Sequence, residues 1–169
     1  MVAVTSSGTA VVTLPTDEQI HIAREFDAPK DLVYKAWTTP ELIKRWWGAK
    51  RGVVTVAEVD LRVGGKWRYV AMTDGGFEVA FHGEFRAIVP NERIVSTEVY
   101  EGMPEGPARA DAQGTVNTLT LTEVGGRTTL AILIECPSKE IRDAIISSGM
   151  EAGMQDAMDL LEEVAISLS

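Results

Sequence analysis

Apolar positions follow two different periods along the chain. Leu32, Val33, Ala36 and Trp37 form a helical stripe behind Pro29, and Leu42, Ile43, Trp46 and Trp47 form a second behind Thr39-Pro40, closed by Gly48. Two short consecutive helices are predicted. From Val53 onward the period becomes that of strands, with β-branched and aromatic residues between turn signals at Gly64-Gly65, Asp74-Gly75-Gly76, Pro90-Asn91 and Gly125-Gly126. Six strands are read at 53–60, 66–72, 77–89, 93–100, 115–123 and 128–136, and their short turns make them an antiparallel meander. Ahead of the helices, 9–14 and 19–26 read as extended segments around Pro15-Thr16-Asp17, and 1–8 as a flexible start. The connection 101–110, rich in Gly and Pro, reads as a solvated loop, with a flap beside a site as the alternative.

The last stretch is helical but changes phase. Ile141, Ala144, Ile145 and Ser148 share one face, whereas Met150, Met154, Ala157, Leu161, Val164 and Leu168 share the opposite one. A straight helix cannot bury both, so a break is expected near Ser147-Ser148-Gly149. The longer second helix then carries Glu151, Asp156, Asp159, Glu162 and Glu163 outward. Strand parity places Trp67, Tyr69 and Ala71 opposite Lys66 and Arg68, and Val79, Phe81, Gly83, Phe85 and Ala87 opposite Glu78, His82, Glu84 and Arg86. A twisted sheet with one polar face covers its apolar face by curling around the long helix.

Length and charge then narrow the function classes. The 169 residues are expected to form a single domain, and one cysteine excludes an internal disulfide framework. A lone thiol suits a reducing cytoplasm. With 25 acidic against 16 basic side chains the net charge is -9, which repels phosphate backbones and anionic lipid. No nucleic acid and no membrane insertion are therefore expected.

The chemistry sought in the sequence is mostly not there. His21 and His82 are far apart and the one cysteine is Cys136, so no metal and no metal cofactor are expected. No nucleophile elbow, phosphate loop or dinucleotide fingerprint occurs, and Gly64-Gly65 reads as a bulge. Glu58 and Asp60 share a strand face, the minimum geometry for paired carboxylates, but a solvated face is preferred. His82 reads as outward-facing, Cys136 as a buried thiol, and Lys44, Arg45, Lys50 and Arg51 as a solvated helix end. No catalytic residue is assigned.

Five segments in order carry a resemblance: Arg24-Glu25-Phe26-Asp27-Ala28-Pro29 with Ala36-Trp37; Arg45-Trp46-Trp47-Gly48; 60–67, Asp-Leu-Arg-Val-Gly-Gly-Lys-Trp; Gly83-Glu84-Phe85; and 138–144 with 149–154. Over roughly residues 19–166 the chain resembles the START-like (SRPBCC) superfamily. More narrowly it is similar to the branch named after the C-terminal domain of the heat-shock protein 90 ATPase activator. The resemblance implies an α+β helix-grip fold, also called birch-pollen-allergen-like: a curved antiparallel sheet wrapped around a long C-terminal helix, with two short helices after the first strand. It also implies an apolar cavity between sheet and helix. Superfamily members bind lipids, sterols, hormones or polyketides, and a minority catalyse cyclisation or dehydration there.

Periodicity alone fits either a packed core or a pocket; with the resemblance, the aromatic and methionine set is read as pocket lining. The candidates are Trp37, Trp46, Trp67, Tyr69, Phe81, Phe85, Asn117, Leu119, Met150, Gly153, Met154, Met158 and Leu161. The first reading is a module binding a small apolar or aromatic ligand without a cofactor. The second is a polyketide-cyclase/dehydratase-like enzyme using Tyr69 and Asn117 as polar groups. The third is a protein-interaction domain acting on a chaperone ATPase. A homodimer stays open.

Overall fold

The computed structural model describes residues 10–48, 52–101 and 114–169. Eight strands form one curved antiparallel sheet. They are β1 (Val11–Thr13), β2 (Gln19–Phe26), β3 (Gly52–Val59), β4 (Lys66–Thr73), β5 (Glu78–Val89), β6 (Arg93–Tyr100), β7 (Thr115–Val124) and β8 (Arg127–Glu135), in the order β1-β2-β8-β7-β6-β5-β4-β3. The meander from β3 to β8 is as expected from its turns, and β2 closes it by pairing with β8 from Gln19↔Glu135 to Phe26↔Thr128. Helices α1 (Lys30–Thr38) and α2 (Pro40–Trp46) carry the chain from β2 to the far edge strand β3. Pro29 is the N-cap of α1 rather than its first helical residue.

The phase change near the C-terminus is a break between α3 (Lys139–Ser147) and α4 (Met150–Ser167), at Gly149 with φ 84°. That left-handed backbone conformation is one glycine adopts without a Cβ penalty. Ser138 starts α3 by accepting the Ile141 N–H at 3.2 Å. The expected apolar face of α3 is only half realised: Ile141 and Ile145 are half-buried, while Ala144 and Ser148 are exposed. The buried residue of α3 is Arg142, whose Nη1 donates to the Thr16 carbonyl at 2.9 Å, so a polar anchor to the β1–β2 turn holds this peripheral helix.

The core lies between the sheet and α4, and joins Ile20, Phe26, Leu119, Leu121, Leu130 and Ile132 of the sheet to Met158, Leu161, Val164 and Ala165 of the helix. Full burial of a side chain such as Leu161 contributes about 1.5–3 kcal/mol. β2 alternates strictly, with Ile20, Ile22, Arg24 and Phe26 all buried. Arg24 therefore points into the core, and it takes Asp159 and Glu162 of α4 with it. This corrects the reading of those two acids as an outward, solvated face: a guanidinium buried beside the helix holds both.

Two details of the sheet also differ from the sequence reading. A bulge between Phe85 and Ala87 turns the rest of β5 over, so that Ile88, not Ala87, pairs with the buried Ile94. Gly64-Gly65 is not a bulge but part of the turn joining β3 to β4, where Gly64 N donates to Phe85 O and Phe85 N to Gly65 O. Most of the expected loop 101–110, the flexible start 1–8, Thr9, Lys50 and Arg51 lie outside the described residues. Among the described residues no helix is long and apolar enough to cross a membrane.

Candidate functional site

The inner sheet face from β4 to β7 carries the candidate site. Trp67 pairs with Gly83 across β4 and β5, and Glu98 with Thr115 across β6 and β7. The β5–β6 register, with Phe81↔Tyr100 and His82↔Val99, sets Gly83 opposite Glu98. One rung thus runs Trp67, Gly83, Glu98, Thr115, and the next runs Tyr69, Phe81, Tyr100. Gly83 is required where it stands. A Cβ there would collide with the Thr97 carbonyl oxygen and lie 2.6 Å from the Trp67 indole nitrogen. Free of that side chain, Trp67 reaches across β5 and donates to Thr97 O at 3.2 Å.

A row of aromatic rings continues from Trp67. Its ring lies 4.7 Å from Tyr69, Tyr69 lies 5.3 Å from Trp47, Trp47 lies 5.6 Å from Phe81 edge-on, and Phe81 lies 4.9 Å from Tyr100. Trp47 joins this row because α2 ends at Trp46 and Trp47 takes an extended conformation, φ -74° and ψ 111°. The adjacent indoles therefore diverge. Trp46 stacks on Trp37 at 5.0 Å and donates to Ala36 O at 2.9 Å, inside the packing of α1 on α2, while Trp47 turns to the sheet.

The polar part of the site is a short relay. Thr115 Oγ1 donates to Asn117 Oδ1 at 2.8 Å, and Asn117 Nδ2 donates to Glu98 Oε1 at 2.8 Å. Because Thr115 occupies the amide oxygen, the amide nitrogen is the end presented to Glu98. Burial pushes the Glu98 carboxyl above the usual carboxylate range, and the Asn117 bond opposes that shift. Burial also raises the Tyr69 phenol, with the charge of Glu98 as the second cause. A carboxyl in this setting can accept a hydrogen bond from a ligand, pair with a cation, or exchange a proton.

The remaining expected residues are distributed around this centre. Phe85 is buried on β5 and Leu119 on β7; Met158 and Leu161 are buried on α4, and Met150, Gly153 and Met154 are half-buried one and two turns earlier. Trp37 and Trp46 belong to the helix pair instead. Sequence reasoning missed Glu98, Trp47 and Tyr100. For Glu98 the signal was parity: it lies two and four residues from Ser96 and Ile94 on one strand, hence on the inner face.

The other candidates face elsewhere. His82 is exposed on the outer face with its Nδ1 3.0 Å from Glu101 Oε2, and Glu101 also takes Arg68 through two bonds of 2.9 Å. These partners hold the Glu101 carboxyl down at about 2, with the Arg68 hydrogen bond as the largest cause. Glu58 is exposed on the same outer face, and Asp60 is exposed with Arg62 as its partner. An open depression of about 200 Å³ there is lined by Glu58, Lys66, Arg68 and His82 with the edge of Trp67 and Gly83. The Cys136 thiol is buried, and burial raises it away from nucleophilic thiolate. Lys44 and Arg45 are exposed.

Known structures share this architecture. A Rhodobacter sphaeroides protein is 25% identical with a TM-score of 0.82, over 95% of this chain and 100% of that one. A Mycobacterium smegmatis protein is 22% identical with a TM-score of 0.81, over 92% and 96%. DynU16, from the dynemicin biosynthetic locus, is 21% identical with a TM-score of 0.62, over 88% of this chain and 47% of that one. No curated protein sequence matches the chain. The family described as Activator of Hsp90 ATPase homolog 1-like protein matches residues 27–165, which takes in both helices of the first crossover, β3 to β8 and nearly all of α4, and the chain belongs to that family.

Proposed function

We propose that the chain is a START-like domain that binds a small, mainly apolar ligand in a space between its inner sheet face and α4. The observation that carries this reading is the environment of Glu98 and Tyr69. Both side chains keep part of their surface accessible, yet burial is the leading cause of both pKa shifts. Partial exposure together with desolvation as the leading effect is what side chains on the wall of a recess experience. The aromatic row beside them supplies rigid apolar surface, and Met150 and Met154 supply adaptable surface from the helix side.

Native mass spectrometry of the purified protein, with extraction of retained small molecules, tests the reading. A retained molecule, or quenching of tryptophan fluorescence by an added apolar probe, is the expected result. A protein that holds nothing and takes up no apolar probe overturns it.

The enzyme reading has one observation in its favour: burial raises the Glu98 carboxyl, as a general acid or base requires, and the Tyr69 phenol feels its charge. The same space would then serve a cyclase- or dehydratase-like reaction, and DynU16 is a structural relative from a biosynthetic locus. Turnover of an aromatic polyketide precursor, lost in Glu98→Gln, is its test. A chaperone partner rests on the family's name, and a cytoplasmic setting on the single free thiol.

A further inference from the structure

Among the described residues Glu98 has no counter-charge. One oxygen accepts from Asn117; the other has no hydrogen-bond partner among the described residues, and no Lys, Arg or His among them forms an ion pair with it. The relay from Thr115 through Asn117 is oriented so that Glu98 receives hydrogen bonds rather than gives them, which favours the carboxylate. A half-buried carboxylate with one oxygen left unpaired attracts a cation, and pairing offsets the cost of its partial desolvation. The ring row begins beside it: Tyr69, which feels its charge, is 5.3 Å from Trp47, and Trp47 is 5.6 Å from Phe81. Aromatic faces beside a carboxylate form a setting that attracts an organic cation. The net charge of -9 steers cations toward the molecule and anions away.

We propose that the ligand of this domain is an organic amine bound as its ammonium ion, with the charged nitrogen on Glu98 and a flat apolar body against Tyr69, Trp47 and Phe81. The proposal rests on the binding-domain reading and specifies which ligand class that space takes. Anionic aromatic acids are repelled by Glu98, and neutral alcohols of the same shape gain the ring contacts but not the ion pair.

Three probes of one shape separate these cases: 1-naphthylmethylamine, 1-naphthylmethanol and 1-naphthylacetate, titrated into the full chain at neutral pH with tryptophan fluorescence and calorimetry as readouts. The amine should bind about tenfold more tightly than the alcohol, and the acetate most weakly. Glu98→Gln, isosteric with the wild type, should bring the amine down to the affinity of the alcohol and leave the alcohol within about twofold. Equal binding of amine and alcohol, tighter binding of the acetate, or a preference for the amine that survives Glu98→Gln overturns the amine assignment while the cavity reading stands. Binding of none of the three overturns the cavity reading and the amine assignment with it. The ranking of probes on the unmodified protein decides even where the variant does not fold.

Discussion

Arg24 Nη2 on β2 donates to Glu162 Oε1 on α4 at 2.8 Å, across a sequence separation of 138 residues. Its Nη1 donates to Asp159 at 2.9 Å, Phe26 lies under the guanidinium at 4.9 Å, and the side chain is 1% exposed. Glu162 also accepts the Asp27 N–H at 2.8 Å, so one carboxylate ties α4 to the strand and to the turn before α1. Removing one member of a buried ion pair leaves an uncompensated charge. Glu162→Gln should lower stability by about 2–3 kcal/mol, toward the lower end for such changes because Asp159 remains. Arg24→Met with Glu162→Gln should cost less than the sum of the single changes, and a double-mutant cycle in urea measures the difference.

Gly83→Ala tests the rung that leads to Glu98. The added methyl collides with the Thr97 carbonyl and the Trp67 indole, so either the β5–β6 ladder shifts or Trp67 loses its bond to Thr97. Overpacking of this kind costs about 1–3 kcal/mol. A red shift in tryptophan emission should accompany the loss of stability. Unchanged emission and an unchanged urea midpoint would show that the rung has room.

A pH dependence follows from Glu98. Its folded-state pKa lies above the unfolded value of 4.5, because burial disfavours the charged form. The folded protein then binds more protons than the unfolded chain in the window that opens near 4.5, and stability falls as pH rises through that window. Glu98→Gln removes the titration. The variant should gain stability relative to wild type between urea melts at pH 4.5 and at neutral pH. A gap that is constant with pH would mean that Glu98 is already paired.

Glu101 has the opposite sign. Arg68 and His82 hold its pKa down at about 2 against an ordinary 4.5, so its contribution is present above the unfolded value and is lost as pH falls toward 2. Arg68 and His82 are well exposed, with side-chain exposures of 44% and 46%, so solvent screening limits the effect. Glu101→Gln should cost only about 0.5–1 kcal/mol at neutral pH. The difference from wild type should shrink below pH 4.5 and in high salt.

How far the sequence carried depended on whether a feature was local. Turn dipeptides, the stripe Leu42, Ile43, Trp46 and Trp47, and the phase change at Gly149 are local, and the elements they announce are present. Parity also placed Tyr69 and Phe81 on the inner face, where Trp47 meets both. What escaped depends on partners distant in sequence. Nothing near Asp159 or Glu162 announces that Arg24 is buried beside them, and charge on a helix ordinarily means water. The Phe85/Ala87 bulge reversed the parity of Ile88 without any turn residue to mark it. Glu98 stood on a strand whose parity was readable, but its significance comes from Asn117 on the next strand and from having no cationic partner among the described residues.

Gly153 gives the last test, on the helix side of the proposed space. It lies on α4 between Met150 and Met154, both packed against the core, and is itself half-buried. In an exposed helix, glycine is disfavoured relative to alanine by about 1 kcal/mol, so a position that merely tolerates glycine should be stabilised by Gly153→Ala. A position whose missing side chain keeps space open for a ligand should behave differently under a larger change. Gly153→Leu should then fold, with a loss of about 1–3 kcal/mol from crowding, and should weaken binding of 1-naphthylmethanol, which does not depend on the charge of Glu98. The neutral probe matters because it reports the volume of the space and not the ion pair. Unchanged affinity in a well-folded Gly153→Leu protein would place the ligand away from the first turns of α4.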